Sequence, residues 1–442
     1  MLNALAEAGV KIDVVGAHGA GVMNALCAAA DSTGVLSDSG GPWSKPALRR
    51  AYRWRPALRV AGAGLLLVLL LLVSPGVLMI VAGVAYGAGL VAALAGFPGA
   101  SEWLVQIYGR ALEVLFNPPI MPTMVPRGMV LGLLAIGAVL AVAAVRAAWH
   151  ERSRRQVGGA MWWRLVGAPL GAEEPGLSLT TALRRIVRGA SGGPGPAPAE
   201  VGRRYVDMVV ENLGQPGFRE LLVAVHDVDA RRDIVGAVLG PDAGPALVAR
   251  RAGSAPREAE MLDLTGPHAE LLVDLLCGAL RLPVATPAHP AAFPSESYWR
   301  GELHHLCDRP DLAGRLVDEL VMAGVDQIVL VGAAPAPSGP YSLRPRPGDL
   351  RSRLGALVRS VETAALDDAW TRALGAVKSV FVIRPVHNPV GPFEFAGVYD
   401  DASDHRWHMA DLVRQGYDDA YRQFIEPVVA GGAGGRDHGP AS

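Results

Sequence analysis

The sequence predicts an α/β domain interrupted by an inserted transmembrane helical region, and three observations predict it. Lys11 to Ser32, KIDVVGAHGAGVMNALCAAADS, writes a strand, a glycine-dense turn and an apolar helix in immediate succession. Val60 to Ser101 contains no charged residue. From Val201 to Phe424, helix-like and strand-like stretches alternate.

The first stretch carries the chemistry-bearing turn. Ile12, Val14 and Val15 favour extended backbone, Gly16, Gly19 and Gly21 crowd the turn, and Val22 to Ala30 opens a helix. A turn of this kind either lets a backbone approach a phosphate or holds a nucleophile on a sharp elbow, G-x-S-x-G. A dinucleotide site would need G-x-G-x-x-G, which GAHGAG does not supply, and an acidic residue about 20 positions on at a second strand. The elbow reading therefore stands, with no serine before Ser32 to fill it.

Length and charge set the frame. The 442 residues suffice for two or three domains, and the formal net charge of -1 argues against a polyanion binder, so no nucleic-acid partner is expected. Abundant Arg, Ala, Gly and Pro have the look of a GC-rich bacterial coding habit. Cys27, Cys277 and Cys307 are too few and too scattered for a disulfide framework, which suits a reduced cytosolic setting. Met1 to Val10 carries Glu7 and no basic region, unlike a signal peptide. Membrane entry is expected from the chain's interior.

The apolar run after Val60 far exceeds the ~20 residues that cross a bilayer. Ser74-Pro75-Gly76 is expected to break or kink it, since proline lacks a donor and clashes with the preceding turn. Gly128 to Val145 is just long enough to span. Two spans, near 60–82 and 127–148, follow from this, and three if Val77 to Ala95 crosses separately. Lys45, Arg49, Arg50, Arg53, Arg55 and Arg59 precede the first run, and Arg146, Arg152, Arg154 and Arg155 follow the last. Positive flanks favour the cytoplasmic side, so both ends point inward and the soluble parts face the cytoplasm. Between the runs, Trp103, Leu104, Ile107, Leu112, Leu115 and Phe116 lie close to one helical face and read as an interfacial helix ended by Pro118-Pro119. Neither apolar run contains an ionisable side chain to carry an ion path.

Beyond the spans, Met161-Trp162-Trp163 reads as an interfacial anchor and Ser191 to Glu200 as a Pro/Gly linker. Gly202 to Leu213 reads as a helix, Glu220 to Asp227 as a strand followed by a short turn and a second strand, and Pro267 to Leu280 as a core helix. His304, His305, Cys307 and Asp308 match no spacing of paired zinc ligands, so HHLCDRPD reads as a polar loop with neither metal nor cofactor expected. Ala313 to Ala323 and Gln327 to Val331 form an α/β crossover. Val380 to Pro385 is a strand, Met409 to Phe424 a helix, and the residues after Pro427 a tail.

In order along the chain, these pieces resemble the patatin-like phospholipase family. Leu5-Ala6-Glu7-Ala8-Gly9 is similar to the family's L-x-E-x-G helix end, and Ala20-Gly21-Val22-Met23-Asn24-Ala25 follows the turn as the family's A-G-A-x-N-A does. Phe293-Pro294, Gly324-Val325-Asp326 before the strand, Asn388 to Phe393, and Gly416-Tyr417 with Ala420 continue the likeness. The resemblance covers residues 1–30 and roughly 201–427. It implies segments 1–43 and 201–429 of one patatin-like sheet, a membrane insertion at 44–155, a connector at 156–200 and a tail at 430–442. The family's opening strand and G-G-G-x-R-G oxyanion loop have no counterpart here.

The resemblance also implies a Ser-Asp dyad cleaving lipid acyl esters. Registering on Gly21, Asn24 and Ala25 puts Gly19 at the serine position; registering on Gly16 puts His18 there. Arg300, before Gly301, stands at the aspartate position, and a guanidinium cannot accept a proton. Two expectations follow: a membrane-anchored acyl hydrolase by family, or a non-catalytic protein that binds membrane lipid or scaffolds partners, which the residues favour.

Overall fold

Two stretches of chain some 200 residues apart meet on one β-strand. In the computed structural model, β1 (Val14–Ala17) lies parallel to β2 (Glu220–Asp227), with Val14 opposite Glu220 and Ala17 opposite Val223. The structure describes residues 1–37, 41–44, 51–116, 121–150, 167–189, 196–197, 200–241, 256–336, 350–395, 397–400 and 403–430. The chain divides into two compact units, one of Met1–Arg53 with Leu170–Ser442 and one of Trp54–Pro169.

The first unit is α/β with a mixed sheet. Its strand order is β4-β3-β2-β6-β5, with β1 also against β2; the other members are β3 (Arg232–Val238), β4 (Met261–Asp263), β5 (His289–Ala292) and β6 (Leu303–Cys307). β2 is the buried centre, because Leu221 to Val225 are apolar throughout and fully covered. Asp227 ends it by accepting the backbone N–H groups of Asp229 and Ala230, both at 3.0 Å, which forms the turn into β3. A separate parallel pair joins β7 (Gln327–Val331) to β8 (Ser379–Ile383).

Helices hold these layers together. Between α1 (Leu2–Glu7) and the later elements, α2 (Gly21–Ala29) buries Val22, Met23 and Leu26 completely. Each such side chain is worth about 1.5–3 kcal/mol. The short α3 (Gly34–Ser37) follows. Tyr205 Oη donates to the Leu26 carbonyl at 2.6 Å, and the Arg219 guanidinium to the Ala28 carbonyl, so residues downstream of 200 cap the end of α2. Ala4 and Leu5 of α1 pack with Ile383, Phe424 and Ile425, which docks the opening helix on β8 and on the helical turn at 421–425.

The second unit is helical. It comprises α4 (Pro56–Leu94), α5 (Pro98–Phe116) and α6 (Met121–His150). Three windows are long and apolar enough to cross a membrane: Pro56–Ser74, Gly76–Leu94 and Arg127–Arg146. The expected break at Ser74-Pro75-Gly76 does not occur, and the 39 residues of α4 run on as one helix. Ser74 explains this, since its Oγ donates at 2.8 Å to the Leu71 carbonyl that Pro75, lacking an N–H, leaves unserved. The first expected span, 60–82, thus straddles two windows of a helix about 58 Å long. Antiparallel to its first half, α6 brings Gly132 beside Val68 and Gly128 beside Leu71; a Cβ on Gly132 would stand 2.7 Å from Val68 Cγ2. Small residues let the two backbones approach. Gly96 turns the chain at φ +84°, and Tyr108 Oη of α5 donates to the Leu78 carbonyl at 3.2 Å.

Beyond the spans, α7 (Glu173–Arg188), α8 (Val201–Asn212), α9 (Leu271–Ala279), α10 (Leu312–Ala323), α11 (Leu350–Leu374) and α12 (Met409–Ala420) complete the first unit. The HHLC of HHLCDRPD lies in β6 and not in a loop, because His304, Leu306 and Cys307 are buried and β5 and β2 supply partners. The expected core helix from Pro267 begins only at Leu271. The Pro118-Pro119 stop, the Met161-Trp162-Trp163 anchor, most of the 191–200 linker and the tail after 430 lie outside the described residues.

Candidate functional site

The glycine turn delivers its side chains to the end of β1. Gly16 and Ala17 finish the strand, His18 follows, and Gly19 takes φ +56°, a left-handed conformation that strains any residue with a Cβ. The helix begins at once, Gly21 N–H donating to His18 O at 3.1 Å and Val22 N–H to Gly19 O at 3.2 Å. This is the backbone of a strand-to-helix elbow with glycine at its apex.

A carboxylate occupies the space above that apex. A Cβ built on Gly19 would lie 2.8 Å from Asp308 Oδ2. Asp308 Oδ1 is 3.1 Å from His18 Nδ1, the aspartate side chain being 4 % exposed and the imidazole 21 %. Asp308 is placed by β6, which ends at Cys307, and its own N–H donates to the Arg281 carbonyl at 2.7 Å. In the neutral imidazole, donation from Nδ1 to Asp308 leaves the lone pair on Nε2.

Glu362 of α11 completes an acidic cluster. Burial pushes its carboxyl up to about 7, the Asp308 charge adds to that, and His18 and Arg359 pull it back. For His18, burial draws the imidazole down, but the charge and hydrogen bond of Asp308, with Glu362 and Asp311, outweigh it, and the net shift is upward. Burial, then the Asp308 charge, raise the Tyr52 phenol, whose Oη donates to Leu280 O at 2.8 Å. Aromatic rings form the adjacent wall: Trp43 stacks on Phe395 at 6.1 Å between centroids, its Nε1 donating to Asn24 Oδ1 at 2.7 Å.

All of these groups open onto one cavity of about 1570 Å³ that extends from the elbow down between β1 and β7. Its walls are mainly aliphatic and aromatic, with His18, Asp308 and Glu362 together at one end. Such an arrangement suits a molecule with a long apolar part and one polar group.

Of the residues named from sequence, the structure brings His18 and Gly19 to this site and leaves Arg300 out. Arg300 is exposed on the turn before β6, its N–H donating to Ser297 O at 3.1 Å, and it does not line the cavity. The carboxylate that meets the elbow is Asp308. Reading HHLCDRPD as a loop hid it; a buried, alternating strand that ends in Asp just before Arg309-Pro310 and a helix was the available signal. Glu362, Arg359 and Trp43 carried no motif.

The tempting metal cluster dissolves into separate pairs. His304 Nδ1 meets the buried Asp227 carboxylate and His305 Nδ1 lies 2.6 Å from Asp229 Oδ2, on opposite faces of β6. Among the described residues no group of three or more His, Cys, Asp or Glu is arranged to hold a metal. Comparison with protein-family models, with curated proteins and with solved structures finds no match to this chain.

Proposed function

We propose that this chain is a membrane-attached, lipid-binding relative of the patatin-like acyl hydrolases that lacks a serine nucleophile. The observation that carries the reading is the elbow itself: Gly19 holds the strained apex conformation, and Asp308 stands where a side chain there would reach. That is the layout of a nucleophile–aspartate dyad with the hydroxyl removed, and without a hydroxyl no acyl-enzyme forms. The aspartate role assigned to Arg300 by sequence passes to Asp308. The apolar, aromatic-walled cavity accommodates an acyl chain, and the polar end accommodates a headgroup or carboxyl.

Both ends of the apolar region carry arginines, which supports an even number of spans with the α/β unit at the cytoplasmic face. A periplasmic reporter enzyme fused after Ala430 stays inactive on this topology. In detergent, the purified protein displaces or binds a fluorescent fatty acid, and a fluorophosphonate probe does not label it. Failure to bind any acyl chain would sink the lipid-binding reading, and labelling would sink the claim that the nucleophile is gone.

A second reading has its own support in the His18–Asp308 pair, which orients an imidazole as a general base toward water. On that reading the protein has esterase activity that fluorophosphonate does not inhibit and that His18→Ala abolishes.

A further inference from the structure

The loop that follows α9 is bonded to the α/β unit at both ends of its interruption. Tyr52, one residue before the chain leaves this unit at Arg53, donates its Oη to Leu280 O at 2.8 Å. Leu170, where the chain returns, donates its N–H to Ala285 O at 2.9 Å, and Gly171 N–H donates to Arg53 O at 2.9 Å. Residues 280–285 thus tie the exit and the return together. Leu282 and Tyr52 also line the cavity, and Arg281 O holds the Asp308 N–H, so the same loop forms part of the wall around the elbow.

The tip of this loop is strained and apolar. Ala285 N–H donates to Pro283 O at 2.7 Å, an i to i+2 bond that puts Val284 at the centre of a γ-turn with φ +66°. A turn of that hand is rare, and a β-branched residue suits it least. Val284 is nevertheless 83 % exposed. The carbonyls around it are served from within the protein: Leu282 O accepts from Thr286 N–H and Oγ1, both at 3.0 Å, Pro283 O from Ala285, and Ala285 O from Leu170. No charged side chain occurs from Leu282 to Ala288. Such a tip can enter a medium of low polarity without leaving those carbonyls unpaired. Close by, Glu173 Oε1 lies 3.7 Å from Arg281 Nη1, and one turn along α7 from Glu173 the Leu177 side chain is 69 % exposed.

We propose that Pro283 and Val284 form a membrane-contacting tip, seated in the headgroup region of a lipid bilayer with Leu177 beside it. The inference rests on the membrane attachment proposed above and goes beyond it, because it names the face of the α/β unit that touches lipid. The reach of the chain identifies the occupant. Arg53 lies three residues before Pro56, which opens a window long and apolar enough to cross a membrane, so at most about 11 Å of chain separates them. Arg53 is bonded to Gly171, next to the Leu170 that the loop holds, so a bilayer is the large apolar surface within reach of the tip. Moving Val284 and Leu177 from water into that surface supplies the apolar burial that the α/β unit itself withholds from them. The elbow end of the cavity, whose wall the loop helps to form, is thereby held beside the lipid.

The test uses the full chain in nanodiscs of phosphatidylcholine and phosphatidylglycerol. A bimane label is placed on Val284→Cys, on Leu177→Cys and, for comparison, on Leu374→Cys. Leu374 is 47 % exposed and stands about 18 Å further along α11 than Glu362. Cys27 and Cys307 are buried, and Cys277→Ala removes the third thiol. With brominated acyl chains in the disc, emission at 284 and at 177 is expected to fall at least about twofold while emission at 374 stays level. No quenching at 284, or equal quenching at 284 and 374, overturns the proposal. If the Val284→Cys chain does not fold, Leu177→Cys decides by the same comparison. The readout involves no acyl ligand, so a protein that binds no fatty acid can still pass it, and one that binds fatty acid can still fail. A chain that does not enter nanodiscs at all overturns the membrane attachment together with this proposal.

Discussion

Two buried polar clusters in the α/β unit contrast in how their charges are balanced. At the outer end of α10, Glu319 is fully buried and receives Arg257 through two guanidinium nitrogens, one at 2.7 Å to Oε1, and Arg315 at 2.8 Å, while Arg315 also reaches Glu260 at 3.1 Å. Three arginines face two glutamates, since Arg232 also lies 3.6 Å from Glu260. At the elbow, Asp308 holds His18, and burial, with the Asp308 charge added, raises the Glu362 carboxyl to about 7. The first cluster joins α10 to the loop before β4. The second sets two carboxylates, an imidazole and Arg359 at the end of a cavity, where a ligand can use them.

Glu319→Gln gives the largest effect that separates the two. It leaves Arg257 buried without its counter-charge, a loss of about 3–5 kcal/mol in denaturant unfolding. A change under about 1 kcal/mol would show that the cluster around Glu319 is not structural and erase the contrast. Gly19→Ser comes next. Its left-handed backbone costs about 1–3 kcal/mol of stability, and its Cβ forces Asp308 to shift. The hydroxyl then adjoins a carboxylate, and fluorophosphonate labelling is expected to appear in the variant alone. A stable Gly19→Ser protein that never labels counts against the dyad geometry.

The smallest effect is a slope. Glu362 rises from an ordinary 4.5 to about 7 on folding, so the folded state holds more protons than the unfolded one between those values. Stability therefore falls as pH rises through that window, and His18, also raised, extends the fall above its ordinary 6.5. Glu362→Gln is expected to flatten the lower part of the curve in thermal unfolding between pH 4.5 and 7. An unchanged slope means that folding does not raise the Glu362 carboxyl.

Local pattern explains which parts were legible in sequence. Glu220 to Asp227 and Gln327 to Val331 were readable to the residue, because continuous apolar runs bounded by Asp and by a helix stop leave little choice. The glycine elbow was readable because few other turns need so many glycines. Asp308 lines the cavity and Arg300 does not, and motif order along a chain does not encode which side chain a sheet carries to the elbow; pairing of β6 with β2 decides that. The continuity of α4 was illegible for a related reason. Proline's missing donor is a local fact, but the hydroxyl that replaces it depends on the rotamer of Ser74. Glu362 lies in a helix whose polar and apolar residues follow no simple face, so nothing in the periodicity marked it as inward.

The pairing of β1 with β2 also sets an order of events during synthesis. At typical elongation rates, about 10–40 seconds separate the emergence of Ala17 from that of Val223. During that interval the bilayer-seeking helices leave the ribosome, while the oily face of α2 has no strand, no Tyr205 and no Arg219 to cover it. The sheet therefore cannot close over α2 until the rear half of the chain has been made.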